Sequence, residues 1–267
     1  MDLGMDGARA VVTGGSKGMG RAIAERLAAE GAEVAVLARG AEARDETVAA
    51  LHALGSGGSF ALGVDFRVEA QVADAFSQLG ERWSSLNILV NTLGPGAGRF
   101  EELDDAGWEA ALDLGLMAAV RAVRGALPLL RRAEWARIVN FSAHSTRRQS
   151  PLIIAYTASK AAVTSFSKNL SLSLAPEGIL VNTVSPGSIV TASFSEGLRE
   201  MFAEEGLDPT DPYDVMQWID EHFHQPAALG RAGLPAEVAS LVAYLASRTN
   251  GYVTGADVNV DGGSDFV

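Results

Sequence analysis

A chain of 267 residues, 48% hydrophobic and 20% charged, can bury a sizeable core, and a single domain over residues 1–267 is expected. Its 21 Lys and Arg against 33 Asp and Glu leave a formal charge of −12, a field that repels phosphate backbones and anionic lipid, so neither nucleic acid nor a membrane is expected as a partner. The absence of cysteine excludes disulfides and thiolate chemistry, and the four histidines show no ligand spacing, so no metal is expected.

The N-terminus carries acids where an export signal would carry basic residues, which points to the cytoplasm. The first apolar run, Ala10 to Val12, leads into a glycine-rich turn and then a helical pattern from Gly20 to Glu30. Val34 to Leu37 precedes a helix over Glu42 to Leu54, and Ala61 to Val64 precedes one over Glu69 to Trp83. Further runs at Ile88 to Val90, Ile138–Val139, Leu180–Val181 and Val258 to Val260 alternate with helical patterns over Asp105 to Arg132, Ala155 to Leu174 and Ala236 to Ser247. Runs without polar alternation are strands covered on both faces. The β/α alternation predicts an α/β Rossmann fold, a doubly wound parallel sheet of about seven strands with helices on both sides. Residues 191–229 fit no strand-helix unit, and their acids, prolines and aromatic side chains suggest a substrate-capping insertion, with a surface excursion or subunit contact as the alternative.

Thr13-Gly14-Gly15-Ser16-Lys17-Gly18-Met19-Gly20 follows the first strand and opens a helix at once. Glycines there allow a tight turn and close approach to a pyrophosphate, which the helix N-terminus then receives. This strand-turn-helix context makes Gly14, Ser16, Lys17, Gly18, Met19 and Gly20 candidate dinucleotide contacts. The second strand ends Leu37-Ala38-Arg39, without the acid that an NAD enzyme uses on the ribose 2′-hydroxyl. Arg39 and Lys17 are suited to a 2′-phosphate, so NADP(H) is expected over NAD(H). After the third strand, Asp65 can accept from the adenine amino group, with Phe66 lining that pocket, and a plain strand-end cap is its competing role.

Tyr156 and Lys160 open a long helical pattern four residues apart, which stacks phenol and ammonium on one face. Together with the glycine loop, Asn91-Thr92-Leu93-Gly94, Val181 to Gly187, Gly230 to Pro235 and Thr254-Gly255 through Val260 to Gly263, this pattern resembles the short-chain dehydrogenase/reductase family, in its 3-oxoacyl-carrier-protein-reductase-like branch. The resemblance implies hydride transfer between nicotinamide and a carbonyl or secondary alcohol, with Tyr156 exchanging the proton. It implies that Lys160 lowers the phenol pKa and binds the nicotinamide ribose. It also implies that Asn91 and Gly94 border the cofactor, and that Ile189 and Thr191, after Pro186-Gly187, bind the carboxamide. A homotetramer or homodimer built on the two longest helices is implied as well.

Two positions depart from the family. Its usual carbonyl-polarising serine is Ala143 here, and its usual mid-helix asparagine is Gly115. Ser142 should face away from the pocket on a strand, whereas Ser145 lies beyond the strand and is the better substitute. His144, Ala143 and Pro95 are candidate pocket residues, and the aromatic side chains of 191–229 suggest an apolar portion in the substrate. The two departures leave open a cofactor-binding protein with little turnover, or a non-redox lyase or isomerase.

Overall fold

The computed structural model describes residues 2–264. Its strands are β1 (Arg9–Thr13), β2 (Glu33–Ala38), β3 (Phe60–Gly63), β4 (Ile88–Asn91), β5 (Ala136–Phe141), β6 (Ile179–Pro186) and β7 (Asp257–Val260). They form one sheet in the order β3-β2-β1-β4-β5-β6-β7, with every pair parallel. The winding direction reverses between β1 and β4, and open α/β sheets bind ligands at the carboxyl ends beside such a switch.

The helices are α1 (Gly18–Ala29), α2 (Ala41–Ala53), α3 (Glu69–Arg82), α4 (Asp105–Leu112), α5 (Ala118–Leu130), α6 (Ile154–Leu174), α7 (Ala192–Glu204), α8 (Pro212–Phe223) and α9 (Pro235–Ala246). Alternate strand residues face opposite sides. Val12, Val36, Ile88 and Val139 therefore pack with Ile23, Leu27 and Val242 on one side. Val11, Leu37, Leu89 and Ile138 meet Phe76, Leu79 and Val123 on the other. Among the described residues no helix is long and apolar enough to cross a membrane.

A buried polar chain fixes the strand ends beside the switch. Thr13 Oγ1 donates to Asn91 Oδ1 at 3.3 Å, Asn91 Nδ2 to Asn140 Oδ1 at 2.8 Å, and Asn140 Nδ2 to Ser167 Oγ at 2.9 Å. The bonds run across β1, β4 and β5 into α6, so these amides are satisfied away from water, as burial demands. In the 191–229 segment, α7 and α8 close on one another through Phe202, Met216, Trp218 and Ile219, with the rings of Phe202 and Trp218 5.2 Å apart.

The helical pattern expected to run unbroken from Asp105 to Arg132 is interrupted. Asp113 to Met117 form one π-helical turn between α4 and α5, with Gly115 buried in it. This turn packs tightly against α6: a Cβ on Gly115 would overlap Ser159 Oγ and lie 2.5 Å from Ser159 Cβ. Any side chain at this position would therefore run into α6. Gly115→Ala should lower stability by about 1–3 kcal/mol through overpacking, and a Ser159→Gly background should recover most of that loss. Urea unfolding of the double-mutant cycle measures this, and unchanged stability of Gly115→Ala would contradict the packing.

Candidate active site

A groove of about 610 Å³ opens over the carboxyl ends of the central strands, lined by Gly14, Ser16, Lys17, Ala38, Arg39, Asp65, Phe66, Leu93, Gly94 and Leu114, among others. Gly14 supplies the left-handed turn (φ +70°), and a Cβ on Gly20 would overlap the Gly14 carbonyl oxygen, so loop and helix meet at a distance only glycine permits. Lys17 caps α1, whose first turn carries no acid, which leaves N–H groups and a positive dipole end facing the groove. Lys17 and Arg39 are both exposed. Gly18 faces Thr191, whose Cγ2 would lie 3.4 Å from a Cβ there, while Met19 packs against the core.

Two arginines that sequence reasoning missed shape this groove. Arg44 Nη1 donates to the carbonyls of Ala38 and Arg39 at 2.7 and 2.9 Å, holding the chain that presents Arg39. Arg121 donates to Phe66 O at 3.0 Å and pairs with Asp113 at 2.7 Å, tying the Phe66 wall to the π turn. Arg121 lies on a helix 55 residues from the carbonyl it holds, so no local pattern marks it, whereas Arg44 reaches back only five and six residues.

Asp65 and Asn91 differ from expectation. The Asp65 carboxylate does not stand open for an adenine amino group: both of its oxygens accept from the Arg67 guanidinium at 2.6–3.2 Å. Those hydrogen bonds hold its pKa at about 2. The Asn91 side chain is consumed by the interstrand chain described above, and the groove is lined instead by Leu93 and Gly94 from the loop that follows.

Tyr156 is half-buried in the first turn of α6, and burial pushes its phenol above the usual range. Lys160, one turn on and 2% exposed, has its Nζ 5.9 Å from the Tyr156 ring centroid. That Nζ donates to Leu93 O and Phe141 O, each at 2.8 Å, which leaves one of its three protons for another acceptor. Burial pulls the ammonium down to about 7. A Cβ on Gly94 would lie 3.1 Å from Lys160 Cε and 3.6 Å from Tyr156 Cε2, so the groove ends against this pair.

After β5, Ser142 Oγ donates to Lys160 O at 3.0 Å and accepts from Thr164 Oγ1 at 2.7 Å, so it faces α6, as its strand position requires. Ala143 is buried. The Pro95 ring approaches Gly115, its Cδ 3.2 Å from where a Cβ would sit. Neither Ala143 nor Pro95 lines the second cavity, about 430 Å³ beneath α7 and α8, but His144 and Ser145 do. Ser145 Oγ accepts from Thr157 Oγ1 at 3.2 Å, which frees its own proton for donation.

Beyond β6, His144 Nδ1 lies 3.2 Å from Pro186 O, and Gly187 N–H donates to Val260 O at 2.9 Å. Ile189 forms a parallel bridge with Gly233, whose hydrogen bonds, 2.9 Å each, involve Val190 N–H and Ser188 O. In such a bridge the residue's own N–H and C=O turn the other way, so those of Ile189 point away from Gly233. Thr191 Oγ1 caps α7 by accepting from Phe194 N at 3.3 Å.

The family profile described as "Enoyl-(Acyl carrier protein) reductase" matches residues 14–265. The chain is 32% identical over 255 residues to the short-chain reductase protein NovJ of Streptomyces niveus, covering 95% of this chain and 92% of that one. It is 31% identical over 269 residues to the 3-oxoacyl-[acyl-carrier-protein] reductase FabG of Aquifex aeolicus, covering 98% and 99%. Among solved structures it matches L-sorbose reductase from Gluconobacter frateurii, complexed with NADPH and L-sorbose, at a TM-score of 0.91 and 30% identity over the whole of both chains. The groove, the Tyr156–Lys160 pair and these likenesses agree: the chain belongs to the short-chain dehydrogenase/reductase family of oxidoreductases.

Proposed function

We propose that this protein transfers hydride between NADP(H) and a ketone or secondary alcohol, with Tyr156 as proton donor and acceptor. The observation that carries the reading is the buried Lys160 ammonium beside Tyr156, at one end of a groove that also holds Lys17 and Arg39. The groove fits a dinucleotide: the Gly14 and Gly20 approach leaves room for a pyrophosphate, and the open helix end favours its charge. When bound, NADPH supplies the hydride at nicotinamide C4.

The protein's own groups do the rest. Arg39 and Lys17 pair with the 2′-phosphate, by guanidinium fork and point charge. The outward-turned amide groups of Ile189 hold the carboxamide edge, with Thr191 beside them. In reduction, Tyr156 gives its proton to the substrate oxygen, and the Lys160 ammonium stabilises the phenolate left behind. Ser145, in place of the serine absent at Ala143, donates to the same oxygen while Thr157 holds it. That NADPH is bound by a reductase of matching fold supports the cofactor choice. The oligomer belongs to the same reading: Leu112 and Leu172, on helices assigned to subunit contacts, are 39% and 68% exposed.

Following NADPH absorbance with a ketone panel tests the reading. Tyr156→Phe should lower kcat about 10³-fold, and Ser145→Ala about 10²-fold with KM little changed; wild-type rates in Tyr156→Phe would remove the mechanism. Arg39→Ala should weaken NADPH binding about tenfold or more, a charge-assisted bond being worth about 1.5–3 kcal/mol, and leave NADH binding unaltered. Equal loss for both cofactors in a fluorescence titration would contradict the phosphate role.

Lys160 also gives the stability a signature in pH. Its pKa is about 7 in the folded chain against an ordinary 10.5, so between those values the unfolded chain holds a proton that the folded chain has released. Stability from this group therefore rises as pH increases from about 7 to about 10.5. Relative to Lys160→Met, the wild type should gain stability toward alkaline pH in urea unfolding; parallel profiles would contradict the burial of this ammonium.

A further inference from the structure

The cavity beneath α7 and α8 differs in chemistry from the cofactor groove. Its walls are Ile153, Phe194, Leu198, Trp218, Ile219 and Phe223, and its polar lining consists of His144, Gln225 and serines. Among the described residues lining it, none is Asp, Glu, Lys or Arg. Arg148, on the approach to α6, is taken up elsewhere: its guanidinium donates to the carbonyls of His224, Pro226 and Ser264 at 2.6–3.1 Å. It staples the cap and offers the cavity no countercharge.

Phe194, Leu198 and Phe223 are half-buried, while Phe202, behind them, is fully buried. The aromatic cluster thus completes its own core on one side and leaves apolar surface facing the void on the other. At about 430 Å³ the void falls in the range of sites for drug-sized ligands, which spans roughly 300–1,000 Å³.

We infer that this cavity takes an uncharged ketone, or the matching secondary alcohol, with a compact hydrophobic ring body, and that it rejects ketoses and 2-oxo acids. The inference rests on the function proposed above and names the substrate class for the same site. His144 and Ser145 sit at the end of the cavity served by the loop after β5, so the carbonyl enters there and the ring body lies against Leu198, Trp218 and Ile219. A carboxylate or phosphate on the ring would be buried without a partner, and burying an unpaired charge is prohibitive. A ketose ring lying against Leu198, Ile219 and Phe223 would turn several hydroxyls toward side chains that offer them no hydrogen bond; one added hydroxyl in an apolar pocket already costs about 10²-fold. The likeness in fold to an L-sorbose reductase therefore does not extend to its sugar.

The test is a comparison of 2-tetralone, L-sorbose and pyruvate with the intact protein, by NADPH oxidation and by calorimetric titration of the NADP⁺-loaded form. The expected result is a kcat/KM for 2-tetralone at least about 100-fold above either competitor, with calorimetric binding of 2-tetralone alone. Leu198→Asp should raise the KM for 2-tetralone about tenfold or more while NADPH affinity, measured separately, is retained. Binding or turnover of L-sorbose or pyruvate that matches 2-tetralone overturns the substrate class, as does a failure of 2-tetralone to bind. Selective binding of 2-tetralone with no oxidation of NADPH by any ketone upholds the cavity's chemistry and instead removes the proposed hydride transfer.

Discussion

The Lys160 ammonium, held between the carbonyl oxygens of Leu93 and Phe141, is the constraint on which the rest of the site depends. Those carbonyls belong to the loop after β4 and the last residue of β5, so one charge ties α6 to the carboxyl ends of two adjacent strands. A buried ammonium is costly and persists only where acceptors surround it. Here the sheet supplies them through its backbone. With Lys160 fixed, Tyr156 is fixed one turn earlier on the same face, and Gly94 is required where the loop passes them both.

The same interaction explains how the chain accommodates the loss of two side chains that its family usually carries. At position 115 the glycine sits in a π turn with Ser159 packed where a Cβ would stand. At position 143 the alanine is buried, and the nearest hydroxyl facing the cap cavity belongs to Ser145, whose partner is Thr157. Both adjustments lean on α6, the helix that Lys160 anchors.

Much of the fold was legible because a covered parallel sheet writes itself as uninterrupted β-branched runs, and all seven, from Ala10–Val12 to Val258–Val260, are strands. The glycine loop, Arg39 and the Tyr156–Lys160 spacing were legible because each combines a residue type with a local position. What was not legible depends on side-chain pairings, near or far in sequence, that residue type and position do not announce. Asp65 reads as a free acceptor until Arg67 folds back on it. Asn91 reads as a loop contact until Asn140 arrives from a neighbouring strand. The contact of Gly115 with Ser159, and the support that Arg121 gives Phe66, join helices and loops far apart in sequence.

A chain of charge −12 that presents two exposed cations at one groove, and none among the described residues lining the adjoining cavity, divides its chemistry sharply; in the function proposed, electrostatics serve the dinucleotide, and dispersion and water exclusion its companion. The central claim is that both meet at Tyr156. A crystal structure of the ternary complex with NADP⁺ and a hydrophobic cyclic ketone tests it most directly. The account predicts the ketone oxygen within hydrogen-bond reach, about 2.6–3.2 Å, of both Tyr156 Oη and Ser145 Oγ, with Arg39 on the 2′-phosphate. A ketone bound in the cap cavity with its oxygen turned away from Tyr156 would contradict it.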